Sequence, residues 1–117
     1  MTYGIWNKLN IYKWREGDFS STNKLTGTIY TESERINPFN LTGYTIKIKM
    51  YKRWKNSDYF GKTAGIVSAS AGTWSYAVAQ GEMPPSGLYL IEVELTKAGE
   101  QMSTFPEEFY IQSGPSE

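Results

Sequence analysis

The chain has 117 residues, with twelve Lys and Arg against twelve Asp and Glu, and neither cysteine nor histidine. This length supports one domain around a single core, with roughly two-thirds of the unfolded surface buried. The balanced charge leaves no field to gather nucleic acid or an anionic membrane surface. The two missing residue types take with them thiolate and imidazole nucleophiles, bases and zinc ligands.

No window is apolar enough to cross a bilayer, and the opening MTYGIWNKLN lacks a signal-peptide pattern. Synthesis in the cytosol without membrane insertion is expected, unless a targeting region lies outside this sequence. Nine Tyr and four Trp exceed the needs of one small core. Such side chains seek water or a partner for their polar ends, which predicts that some stand at contact surfaces.

From the amino end, residues 1–15 show a rough alternation in IWNKLNIYKW, read as a first strand or a docking arm with Trp6 and Trp14 as contact candidates. REGD is a turn, and LTGTIYT (25–31) is a short strand. INPFNLTG is a loop ending at Gly43, where a positive φ costs little only for glycine. In YTIKIKMY, Tyr44, Ile46, Ile48 and Met50 face one way and Thr45, Lys47 and Lys49 the other, the pattern of a half-buried antiparallel strand. KRWKNSDYFGKTAG (52–65) reads as an exposed aromatic hairpin bearing Arg53, Trp54, Tyr59 and Phe60. SASAG turns into TWSYAV, whose Trp74, Tyr76 and Val78 share a face. QGEMPPSG leads through Gly87 into LYLIEVELT, with Tyr89, Ile91, Val93 and Leu95 on one side and Glu92 and Glu94 on the other. KAGE closes a tight hairpin with Gly99 in the left-handed position. Pro106 ends one strand and suits a sheet edge, EEFYIQ (107–112) is the last strand, and residues 113–117 are a linker or tail. No segment has capped helical periodicity. About seven or eight short strands at this turn spacing predict an all-β, antiparallel β-sandwich over residues 16–112.

The ordered set Gly17-Asp18, Leu41-Thr42-Gly43, Gly72 with Trp74 and Tyr76, Gly87 with Tyr89, and Phe105-Pro106 resembles the immunoglobulin-like N-terminal domain of phage baseplate upper proteins. The resemblance spans residues 16–112 and implies an immunoglobulin-like sandwich working as a tail or baseplate structural part. Two stretches depart from the family pattern: residues 52–65 are richer in aromatics, and the first fourteen residues are longer and more aromatic than usual. SGLYLI also resembles an immunoglobulin corner, with Ile91 where a cysteine would stand. Tyr89 is then either a corner residue whose hydroxyl bonds back to nearby backbone, or simply a core aromatic.

Candidate chemistry is sparse. Glu92 with Glu94, and Glu107 with Glu108, read as solubilising charges on an outer sheet face rather than a catalytic pair in a cleft. Ser68 and Ser70 have no histidine to activate them. The NSD triplet (56–58) is too short to make a calcium loop. Lys47, Lys49, Lys52, Arg53 and Lys55 interleave with aromatics, yet in a neutral chain they read as solvent-face and edge-protecting lysines. The expectation is therefore a non-catalytic binder without cofactor or metal. Its partners would be other virion proteins, in a multivalent or homo-oligomeric assembly within a virus particle formed in the host cytoplasm. The alternative is a carbohydrate module in which Trp54, Tyr59 and Phe60 stack on sugar rings of a host-surface glycan.

Overall fold

A computed structural model describes residues 3–9, 14, 15, 17, 18, 20–52, 58–83 and 85–112, with side chains at all of these except 3, 21–23 and 58–60. The protein is all-β. Among the described residues there are eight strands: β1 (Tyr3–Leu9), β2 (Ser20–Glu32), β3 (Thr45–Lys52), β4 (Asp58–Ser68), β5 (Thr73–Val78), β6 (Gly87–Lys97), β7 (Glu100–Ser103) and β8 (Glu107–Ile111).

All strand pairs are antiparallel and follow the order β1-β2-β5-β4-β3-β6-β7, with β8 also on β6. Lettered in chain order, the first four strands of this path read A-B-E-D and the last three C-F-G, the strand order of an immunoglobulin constant-type domain. The two halves are not separate sheets. Residues 58–64 of β4 pair with β3, and residues 65–68 of the same strand pair with β5 across a bulge at Val67. The result is one continuous eight-stranded sheet that wraps nearly closed. Its free ends meet through two parallel bridges, Trp6 to Phe105 and Arg15 to Gln112.

β7 and β8 divide one edge of β6 between them, along Glu94–Lys97 and Gly87–Ile91. At the gap, the buried Thr104 donates its N–H to the Val93 carbonyl at 3.0 Å and accepts the Val93 N–H on its hydroxyl at 2.9 Å. A side chain thus completes the ladder where the main chain turns away, leaving no buried backbone group unpaired at that step.

Alternation along the strands builds the core. Ile46, Ile48 and Met50 of β3 meet Tyr89, Ile91, Val93 and Leu95 of β6, all 1% exposed or less, while Lys49 and Glu94 pair outside at 3.1 Å. Trp74 is buried at the centre of β5. Each such side chain contributes about 1.5–3 kcal/mol through removal of apolar surface from water. Gly43, Gly87 and Gly99 have φ of +84°, +149° and +81°. Tyr89 is both core and corner: its ring is fully buried and its hydroxyl donates to the Pro85 carbonyl at 2.7 Å.

Residues 58–65, read as part of a hairpin, form with residues 66–68 the strand β4, which pairs back antiparallel on β3. One sequence expectation is corrected. Trp14, read as a contact residue, lies in the core at 1% exposure, because the chain at residues 14 and 15 runs beside the end of β8 and turns the ring inward.

Gly27 of β2 faces Trp74, and a Cβ there would lie 2.6 Å from both the Trp74 ring and the Asn7 side-chain oxygen. Gly27→Ala is therefore expected to destabilise the domain by about 1–3 kcal/mol through overpacking, read from urea denaturation. Tyr89→Phe removes only the corner hydrogen bond and is expected to lower stability by about 1 kcal/mol; no change in the denaturation midpoint would deny the corner a stabilising role.

Candidate interaction surface

The seam where β1 meets the β7–β8 crossover gathers an unusual density of aromatic and charged side chains. Inside it, the buried Asn7 accepts the Trp74 indole N–H on Oδ1 at 2.9 Å and donates from Nδ2 to Glu107 Oε1 at 3.2 Å. Glu107 also accepts the Leu9 backbone N–H at 3.2 Å, standing in for a neighbouring strand on the outer edge of β1. Burial pushes the Glu107 carboxyl above its ordinary range, against the pull of the Leu9 N–H, the Arg35 charge, the Asn7 amide and the Lys8 charge. Glu107 thus departs from the expected solubilising role, since it faces β1 rather than solvent.

From the other side, the Arg35 guanidinium donates to the Asn7 carbonyl through Nε and Nη2, both at 3.4 Å, and lies 5.7 Å from the Trp6 ring centre. Trp6 stacks on Phe105 with ring centres 4.3 Å apart and planes 26° apart. The Trp6 indole N–H is covered and meets no acceptor among the described residues, so stacking rather than hydrogen bonding holds the ring. Phe105 remains 44% exposed. Beside it opens an apolar groove of about 380 Å³ lined by Gly4, Ile5, Phe39, Met102, Ser103 and Phe105.

The loop that supplies Arg35 is fixed from beneath. Glu32, 2% exposed, accepts the N–H groups of Ile36 and Asn37 at 3.4 and 3.1 Å and the Asn37 amide at 3.0 Å. A turn closed by the Arg35 N–H on the Glu32 carbonyl at 3.1 Å leads to Arg35 at φ +57°, a conformation that side chains other than those of Gly, Asn and Asp rarely adopt. The next residue, Ile36, projects to solvent at 69% exposure. A buried carboxylate and a left-handed backbone therefore set the loop so that Arg35 reaches back over Trp6 to the Asn7 carbonyl while Ile36 projects outward.

Of the contact residues expected from sequence, Trp6 is in this cluster and Trp14 is in the core. Arg53 and Trp54 lie outside the described residues, as do Asn56 and Ser57 of the NSD triplet. Tyr59 and Phe60 fall in β4, with side chains outside the described set. Sequence reading missed Arg35, Ile36 and Phe105 as members of one surface. They come from a loop and a strand crossover some seventy residues apart, and no local pattern joins them.

The raised Glu107 pKa fixes a sign. Its contribution to stability is present below the ordinary carboxyl range and is lost as pH rises through the elevated folded-state value. Glu107→Gln keeps an acceptor for the Leu9 N–H without the charge. Its stability relative to the native chain is expected to improve between about pH 4 and pH 7, measured by urea denaturation at each pH. A difference that does not vary with pH would place the Glu107 charge in water. The chain matches no protein-family model, and no curated protein matches it in sequence.

Proposed function

We propose that this domain is a non-catalytic assembly module of a virus particle, a tail or baseplate part that contacts neighbouring subunits through its β1 seam. The observation that carries this reading is the Arg35–Trp6–Phe105 cluster with the exposed Ile36, held on a rigid frame by buried polar contacts. Trp and Arg are the side chains that dominate protein-interface hot spots, and pre-ordering them lowers the entropy lost on docking. The ordered motifs that resemble baseplate upper proteins supply the setting, and the A-B-E-D and C-F-G strand order is compatible with it. Repeated modest contacts in a symmetric particle would add through multivalency.

Among the described residues no helix is long and apolar enough to cross a membrane. The carbohydrate reading rests on residues 54–60, and no described side chain favours it.

Quantitative mass spectrometry of purified particles from cultures producing this chain is expected to find it in constant ratio to the tail proteins. Absence from particles, in cells where the chain is abundant, overturns the assembly reading. Glycan-array binding lost on Trp54→Ala would then establish the carbohydrate alternative.

A further inference from the structure

β1 and β7 end the sheet path, and their outer edges are treated differently. On β1, Glu107 accepts the Leu9 N–H and Arg35 donates to the Asn7 carbonyl, so charged side chains occupy the row. On β7 the direction of each main-chain group follows from the ladder. The Thr104 N–H bonds to the Val93 carbonyl, which makes Met102–Leu95 and Glu100–Lys97 the hydrogen-bonded pairs of β7 with β6. Gln101 and Ser103 occupy the alternate positions, and their N–H and carbonyl groups point away from β6. Phe105 continues this outward row, and its N–H reaches the Ile5 carbonyl at 3.2 Å. No described residue does the same for Gln101 or Ser103.

β1 does not continue that ladder. Its register with β2 shifts at a bulge between Tyr3 and Trp6, with Gly4 at φ +145°. Here the apolar groove of about 380 Å³ opens, with Gly4 and Ile5 from β1, Met102 and Ser103 from β7, and the Phe39 and Phe105 rings. Met102 stands opposite the buried Leu95, so its side chain shares the inner face and lines the groove, while Gln101 and Ser103 turn theirs to solvent. A volume at the small end of the roughly 300–1,000 Å³ range of ligand clefts suits an inserted side chain.

Outward main-chain groups beside an apolar slot define what fits them. A strand laid antiparallel along β7 would bond to Gln101 and Ser103, and its intervening residue would fall opposite Met102. That is a non-hydrogen-bonded position, where side chains on the shared face approach most closely. A second copy cannot supply this strand from its own β7. Placing its Ser103 opposite Gln101 sets its Gly99 opposite Phe105, on the side where Ile5 already bonds.

We propose that the outer edge of β7 takes a short extended segment of a neighbouring polypeptide, which adds a strand to the sheet and places one large apolar side chain in the groove. The proposal rests on the assembly reading above and specifies what a neighbouring subunit offers: an apolar residue flanked by polar ones that keep an extended backbone. Main-chain hydrogen bonds supply the attachment and the groove supplies selectivity, the division of labour of strand addition generally. The Phe105–Ile5 contact closes one end of the site, so the added strand stops there and cannot propagate along the sheet.

The test is an amide-resolved NMR titration of the full chain with blocked pentapeptides of the form Ser-Thr-X-Thr-Ser, where X is Leu, Ile, Met, Phe or Trp. At millimolar concentration at least one is expected to shift the amides of Gln101, Met102 and Ser103 together with those of Ile5 and Phe39, and to slow hydrogen exchange at Gln101 and Ser103. N-methylation of both peptide threonines, or alanine at X, is expected to weaken that binding by about tenfold or more. In the chain, Ser103→Pro removes an outward N–H and leaves the pairing with β6, since proline is tolerated on a strand edge that faces solvent. It is expected to abolish the shifts. Met102→Glu puts a charge in the groove, is expected to do the same, and replaces the proline variant if that one lacks native circular dichroism. No shift with any of the peptides overturns the proposal. So do equal shifts with the N-methylated peptides, which would make the groove a slot for apolar molecules without strand addition. Protection of Gln101 and Ser103 that rises with the concentration of the chain alone would give the site to a second copy and overturn it too. None of these outcomes alters the particle measurement, which tests the assembly reading separately.

Discussion

Closure of this sheet depends on Asn7, a polar side chain placed among buried aromatics. Its oxygen takes the Trp74 indole N–H, its amide reaches Glu107, and its carbonyl receives Arg35. A buried amide without partners would cost about 1–3 kcal/mol, so these contacts arise together or leave a penalty behind. Gly27 makes room for Asn7 and Trp74, Glu107 serves the edge of β1, and Arg35 stands over Trp6. Remove Asn7 and β1 loses its register mark as well as its hydrogen bonds.

That mark matters because the outer edge of β1 carries no regular ladder. Phe105 gives one main-chain hydrogen bond, from its N–H to the Ile5 carbonyl at 3.2 Å, and charged side chains serve Asn7 and Leu9 beyond it. An edge occupied by charged groups resists further strand addition. The same groups that block uncontrolled strand pairing hold Trp6 and Arg35 in place for directed contact. In this way a device that keeps the domain from aggregating also shapes the surface proposed to assemble it.

Legibility from sequence followed the physics of alternation. The β3, β5 and β6 segments show period-two patterns because each has one face in the core and one in water, and the structure places them at Thr45–Lys52, Thr73–Val78 and Gly87–Lys97. β4 was not legible. Gly61 and Gly65 interrupt it, Val67 is extruded at a bulge, and its exposed Ile66 and Val67 break the expected alternation. The site was harder still. Glu107 read as an ordinary surface acid, since nothing local reveals that a carboxylate will serve the backbone of a distant strand, and Glu32 carried no signal of its burial. Arg35 at positive φ gave no signal either, because that conformation normally announces itself through glycine or asparagine.

The sharing of β4 between the two halves has a mechanical consequence. In a sandwich of independent sheets, a load on one sheet can be relieved by sliding over the other. Here the hydrogen-bond ladders of the halves join in series through one strand, by residues 58–64 on one side and 65–68 on the other. Along the ladders β1 connects to β3 and β6 through β2, β5 and β4, and a second, shorter route runs across the Trp6–Phe105 and Arg15–Gln112 bridges. The halves are therefore coupled through hydrogen bonds, so that a displacement of one is passed to the other rather than taken up by sliding.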